Sequence, residues 1–182
     1  MARPRLIDRE AVLEAALVVA DNDGLDGVTM RAIAERLQVT TMALYRHVPS
    51  KAELLDGVVE RLLHELPSPG SGLPWEEQLR IMAADLREMA KRHSGAFPLL
   101  LQRPARTDAA RQVRDRVRDA LLAAGVSDDQ VPSVERLLST AILGFAASEA
   151  LGRFRSLSPD VIDKDFEVLQ QMLVAGVTVL TR

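Results

Sequence analysis

No stretch of this chain alternates apolar and polar residues with the period of a half-buried strand. Proline and glycine instead cut it into helix-sized pieces, inside which apolar residues recur at threes and fours. The pattern predicts an all-α fold. Asp8 is placed to cap a helix running to about Asn22, with Leu13, Ala16, Leu17 and Ala20 on one face and Gly24 to stop it. Thr29 caps a short second helix that turns Ile33, Ala34 and Leu37 inward. Gln38 and Val39 form a tight turn, and Thr40 caps a third short helix reaching about His47. Pro49 cannot continue that helix. Ser50 opens a fourth, with Glu53 completing a capping box, which reaches about Leu66.

Residues 67–74 (PSPGSGLP) form the clearest linker, expected to separate a head from a body or to join two helices loosely. Beyond it, Trp75, Leu79, Met82, Leu86, Met89 and His93 fall on one stripe of a long helix. A short helix over Ser94 to Leu101, one from Thr107 to Ala124, one from Pro132 to about Phe154, and one from Pro159 to about Leu180 complete the chain. The expected organisation is a three-helix head over residues 1–50 and a helical body over 51–182, the body beginning with a linking helix at 51–66.

Composition excludes several function classes. Apolar residues make up 47% and charged residues 27% of the 182, enough for a core and unlike a disordered chain. There is no cysteine, so disulfides, thiolate chemistry and cysteine-ligated zinc are absent. No apolar run approaches the ~18 residues of a membrane span, and the N-terminus has no secretory apolar core. A cytoplasmic protein without a membrane partner is expected. The three histidines, His47, His64 and His93, lie on different segments. No Glu-x-x-His pair, glycine-rich phosphate loop or nucleophile elbow occurs, and Asp128 with Asp129 reads as a solvated pair. Hence no catalytic residue, metal or cofactor is expected.

The net charge of −3 is unlike a protein that holds nucleic acid by bulk charge. Locally the balance reverses. Between Gly27 and Lys51, Arg31, Arg36, Arg46 and Lys51 face Glu35 alone, a net of +3. Contact with phosphate needs a basic face, not a basic protein. In the same window, two short helices joined by a tight turn make a helix-turn-helix. The second of them is exposed, polar at its start and short enough to enter a major groove, with Ala43, Leu44 and Val48 as its apolar anchors.

The residues Thr29-x-Arg31-x-Ile33-Ala34, Leu37-x-Val39-Thr40, Ala43-Leu44-Tyr45-x-His47 and Lys51 with Leu54 and Leu55 resemble the DNA-binding head of the TetR (tetracycline-repressor-like) family. The likeness runs from about Asp8 to Leu62. One departure is Gln38, where the family usually has glycine. That turn position often takes positive φ, which costs a non-glycine residue up to about 1–2 kcal/mol.

The resemblance implies a double-stranded DNA operator as partner. Arg31, whose family counterpart often touches a base, has the chemistry to reach guanine or phosphate. Thr41 and Met42 open the recognition helix, where a hydroxyl can read a base edge and a thioether can meet a thymine methyl. Tyr45 matches the family aromatic that packs on the sugar-phosphate backbone; by itself it would equally well be a half-buried packing residue. Thr29, Thr40, His47 and Lys51 are candidate phosphate ligands, although His47 alone would read as structural. Arg3 and Arg5 form a candidate minor-groove arm.

The last helix carries two apolar rows: Ile162, Phe166, Leu169, Leu173, Gly176 and Leu180, and beside them Val161, Val168, Met172, Ala175 and Val179. A monomer's surface helix needs one buried face, so the second row points either to a partner or to deep burial within one subunit. The preceding helix is apolar nearly all round, and Gly144, Ala147, Ser148 and Gly152 would allow close approach. The family dimerises through its last two helices, which implies a homodimer and a near-palindromic operator. The candidate dimer residues are Gly144, Ala147, Ser148, Gly152, Phe166, Leu169, Leu173, Gly176 and Leu180.

In the family, body helices surround an effector cavity. Trp75, Met82, Leu86, Met89, Phe97, Leu100, Leu101 and Phe145 are the candidate lining residues, suited to a small, apolar effector, although such stripes are more often plain core. The implied function is a ligand-responsive repressor. An activator of the same family, or a helical binding protein that has lost its DNA affinity, fits the same residues.

Overall fold

The computed structural model describes residues 7–70, 72–103 and 107–181; the candidate arm residues Arg3 and Arg5 lie outside this set. The described residues form α-helices and no strands. The helices are α1 (Arg9–Gly27), α2 (Met30–Leu37), α3 (Thr41–Tyr45), α4 (Lys51–His64), α5 (Trp75–Arg92), α6 (Leu99–Gln102), α7 (Asp108–Ala123), α8 (Val131–Ala150) and α9 (Pro159–Leu180). None is long and apolar enough to cross a membrane.

The chain divides into two compact units, Met1–Leu62 with His93–Ala105, and Leu63–Arg92 with Arg106–Arg182. Neither a boundary at residue 50 nor a dividing linker describes this arrangement. The described residues of 67–74 fall in the second unit, and the two ends of the stretch are held there: Arg116 Nη1 donates to the carbonyls of Leu66 (3.3 Å) and Pro67 (3.2 Å), and Gln78 Nε2 donates to Leu73 O (2.8 Å).

In the first unit, side-chain caps set the helix starts. Asp8 Oδ1 accepts from Ala11 N (2.8 Å), Thr29 Oγ1 from Ala32 N (3.0 Å), Thr40 Oγ1 from Ala43 N (3.3 Å) and Ser50 Oγ from Glu53 N (3.1 Å). Each satisfies one backbone donor that a helix start would otherwise leave unpaired. Gly24, at φ 73, interrupts α1 as expected of a stop, but a further turn carries the element to Gly27. The core comprises Val12, Leu13, Ala16, Leu17 and Ala20 of α1, Ile33 and Ala34 of α2, Leu44 and Val48, and Leu54, Val58 and Leu62 of α4, all almost fully buried. Gly57 brings α4 against α1, since a Cβ there would lie 2.5 Å from Leu13 Cδ2.

The segment 93–102 joins this unit, not the body. Ala96, Phe97 and Leu99 are buried, His93 Nδ1 is 2.7 Å from Asp21 Oδ2, and Ala96 N donates to Asp21 Oδ1 (3.3 Å). Gly95 is required by close approach: a Cβ there would overlap the carbonyl of Ala20.

The second unit has two apolar clusters. One gathers Leu121, Val126, Val131, Val134 and Val177, with Trp75 and Leu79 packed against it. The other gathers Ala83, Ile142 and Phe166, flanked by Leu86, Phe145, Leu169 and Leu173.

Candidate nucleic-acid interface

The turn between α2 and α3 depends on Gln38, which adopts the left-handed conformation (φ 57, ψ 45). It is the one non-glycine residue with positive φ among the described residues. Its backbone N–H bonds back to Glu35 O and that of Val39 to Ala34 O, closing the end of α2. The glutamine bears the steric cost expected at that position, and the paired backbone offsets it.

A five-residue helix has no stability of its own in water. What holds α3 is Leu44, fully buried, and Val48, 1% exposed, just beyond its end. Full burial of such a side chain contributes about 1.5–3 kcal/mol. With Leu44 turned inward, helical geometry turns Met42 and Tyr45 outward, at 72% and 43% exposure. These are large apolar groups held in water on a rigid, short rod. Thr41 and His47 are half-buried; Thr29, Arg31, Thr40 and Lys51 are exposed. All eight candidate DNA ligands therefore lie in one unit with water access. The hydroxyls of Thr29 and Thr40 accept their cap bonds and keep their O–H free to donate outward.

Among the cations, Arg36, Arg46 and Lys51 make no ion pair with any described residue. Arg31 makes one. Its Nε donates to Glu35 Oε1 (2.8 Å) one helical turn along α2. That hydrogen bond, and secondarily the carboxylate's charge, raises the Arg31 pKa above its ordinary value, so the group is a cation at any physiological pH. Sequence reading had placed Arg31 but missed its partner; the i, i+4 spacing of Arg31 and Glu35 was the available signal.

The body candidates separate on folding. Trp75 packs on the first apolar cluster, while Leu86 and Phe145 pack on the second. Phe97, Leu100 and Leu101 belong to the first unit, where Phe97 is fully buried and Leu101 is 52% exposed. Met89 is fully buried and Met82 half-buried in the second unit. The candidate lining residues are thus divided between the two units, and Leu101 is turned to water.

The candidate dimer residues divide between the chain's own core and its surface. Phe166 (4% exposed) and Ala147 (4%) are buried within their own subunit, and Leu169 and Leu173 pack on the second cluster. Ser148 and Gly152 are half-buried; Gly144, Gly176 and Leu180 are exposed. The other row faces water throughout, with Val161, Val168, Met172, Ala175 and Val179 all exposed, while Gly176 and Leu180 are the exposed members of the first.

Sequence reading missed the reason for this orientation. Arg87, 7% exposed, lies within the buried stripe of α5 between Ala83 and Ala90. Its Nε and Nη2 grip Glu149 of α8 (2.5 and 2.7 Å), and Nη2 also reaches Asp163 of α9 (2.7 Å). The guanidinium lies 4.7 Å from the ring centroid of Phe166 and 5.8 Å from that of Phe145. The Glu149 hydrogen bond chiefly, with Asp163, keeps the Arg87 pKa raised despite burial. Among the described residues no three His, Asp or Glu side chains gather to hold a metal.

Comparison with known proteins agrees with this anatomy. The model described as bacterial regulatory proteins, tetR family, matches residues 12–58, and that described as tetracyclin repressor-like, C-terminal domain, matches residues 79–173. The HTH-type transcriptional repressor DrrR1 of Streptomyces coeruleorubidus is 29% identical over 175 residues, covering 92% of this chain. The chain spans only 64% of that relative's length. A crystal structure of BioQ with its natural double-stranded DNA operator superposes with a TM-score of 0.79 at 28% identity, over 94% of this chain and 98% of that one. ActR of Streptomyces coelicolor, in complex with actinorhodin, gives 0.80 at 25% identity, over 96% and 98%. With one model covering the helix-turn-helix and a second over half of the chain, the protein belongs to the TetR family of bacterial regulatory proteins, transcriptional regulators rather than enzymes.

Proposed function

We propose that the protein is a ligand-responsive transcriptional repressor that binds a near-palindromic DNA operator as a homodimer and has no catalytic activity. The observation that carries this reading is α3: a short helix anchored by Leu44 and Val48 that holds Met42 and Tyr45 in water beside exposed Arg31 and Lys51. A surface with no DNA to meet has no use for that arrangement. In this role Thr41 and Met42 read base edges, Tyr45 packs on the sugar-phosphate backbone, and Thr29, Thr40, His47 and Lys51 hold phosphates. DNA being its target, the protein works in the cytoplasm.

Two-fold pairing uses the α8–α9 surface, where Val161, Val168, Met172 and Val179 are exposed and Gly144 and Gly176 leave room for close approach. An effector, small and apolar, binds the second unit. It releases the operator only insofar as it binds the non-operator state more tightly. The relatives crystallised with an operator and with actinorhodin support both halves of the reading.

Selection of duplexes from a random pool, followed by titration of the winner at increasing salt, tests it. The expected result is an inverted repeat with half-sites about one DNA turn apart, for which the logarithm of the affinity falls linearly with the logarithm of the salt concentration. Indifference to sequence at low ionic strength, or an affinity that ignores salt, overturns it.

A further inference from the structure

Glu35 is an unexpected residue on a surface meant for phosphate. It is exposed, lies on the same outward face of α2 as Arg31, and is the one carboxylate between Gly27 and Lys51. Its effect on fold stability is small, because the pair stands in water with side chains 86% and 65% exposed. The geometry of the pair is more informative. The carboxylate takes Arg31 by Nε alone, and the two Nη nitrogens make no hydrogen bond to any described residue. An arginine held this way keeps the end of its fork open, and two parallel N–H groups at that end match the O6 and N7 acceptors of guanine.

We infer that Glu35 is a positioning and specificity-determining residue: it presents the Nη edge of Arg31 to a guanine, and its negative charge weakens attachment to duplexes lacking that base. The inference rests on the DNA-binding reading above. Two physical effects act together. Fixing a long side chain before binding removes part of the ordering cost that a loose arginine meets at the interface. A carboxylate near phosphates also opposes any complex in which Arg31 finds only backbone, which is discrimination by repulsion.

The test uses the full-length protein, the duplex it selects from a random pool, a scrambled duplex of the same composition, and every single base-pair change in the selected duplex. Arg31→Ala is expected to relax preference at one G·C position in each half-site. Glu35→Ala is expected to relax the same position, by roughly three- to tenfold, while binding the scrambled duplex more tightly than the wild type does. Glu35→Gln separates the two effects: its carbonyl still accepts from Nε, so preference at that position survives, yet affinity for the scrambled duplex rises. The double variant Arg31→Ala/Glu35→Ala should discriminate there no worse than Arg31→Ala alone. Unchanged thermal midpoints establish that the variants fold.

Full discrimination in Glu35→Ala at the position that Arg31→Ala relaxes overturns the inference, as does an Arg31→Ala variant that relaxes no position. A wild-type protein that prefers no duplex instead overturns the DNA-binding reading, so the two failures are distinguishable.

Discussion

The two units expose their apolar residues in opposite ways. Among the described residues, the first keeps most of its aliphatic side chains inside and exposes Met42, Tyr45 and Leu101 as its large hydrophobics. The second leaves Leu137, Leu151, Leu157, Val161, Val168, Met172, Val179 and Leu180 exposed, five of them on α9. A surface meant for a polar polymer can be decorated on a finished core, since DNA recognition rests on hydrogen bonds and charge. A surface that pairs with a second copy, as proposed for α9, remains apolar until that copy arrives, because burying it is the driving force. The first unit is thus complete in its burial and the second is not.

The largest effect expected from breaking this contrast lies inside the second unit. Arg87→Met leaves Glu149, 14% exposed, without its principal cation and should destabilise the unit by about 3–5 kcal/mol. The value should fall toward the lower end, because Lys91 lies 3.7 Å from the same carboxylate, and Asp163, being 58% exposed, adds little. Adding Glu149→Met should restore most of the loss, since a buried pair replaced by apolar groups costs little. Denaturation at one fixed protein concentration measures both; a double variant as unstable as the single one would mean that packing, not the orphaned charge, is responsible.

In the first unit, Leu44→Ala removes the one fully buried side chain of α3 and should cost about 2–5 kcal/mol. Operator binding should vanish while the apparent mass of the dimer is retained. Loss of the dimer together with DNA binding would show that the two units do not fail separately.

Met172→Glu tests the exposed row directly. At 66% exposure the substitution should change the stability of a monomer by no more than about 0.5 kcal/mol. It should nevertheless halve the mass seen by light scattering and weaken operator binding at protein concentrations where the wild type is paired. An unaltered dimer would move the interface off α9. Leu173, half-buried on the chain's own core, is the poorer probe, because its substitution would confound folding with pairing.

The smallest effect concerns Asp85 of α5. Its Oδ2 is buried and accepts no hydrogen bond from any described residue, and burial raises its pKa, Arg92 opposing weakly. A carboxyl with a raised folded pKa binds its proton more tightly in the native state. Its destabilising effect is therefore absent below the ordinary Asp range of about 3.9 and grows as pH rises through it to the folded value. Asp85→Asn should be slightly more stable than the wild type at neutral pH and should flatten the stability profile above pH 4. A profile unchanged by the substitution would mean that water satisfies that oxygen.

Much of the first unit could be read directly from residue order. Asp8, Thr29, Thr40 and Ser50 cap helices within three residues of themselves, Gln38 sits at a turn whose strain is local, and Leu44 and Val48 face inward by helical spacing alone. In the body, α9 runs from Pro159 to Leu180 as its proline and apolar spacing predict, whereas α8 ends at Ala150, short of the expected Phe154, and the helix expected over Ser94 to Leu101 is confined to Leu99–Gln102. The face each body helix turns inward was not legible. α9 has two apolar rows of similar character, and hydropathy cannot rank them.

The amino-acid order therefore determined where most helices start, and which short helix must protrude, because caps, turns and anchors act over a few residues. Only the tertiary structure decided that Phe166 turns inward and Met172 outward, and that 93–102 packs with the first unit. Those outcomes depend on partners more than seventy residues away: Arg87 bonding Asp163 beneath Phe166, and Asp21 receiving His93 and the backbone of Ala96. A local pattern carries no information about such pairs, since the ion pair and the close glycine contact exist only once distant helices have met.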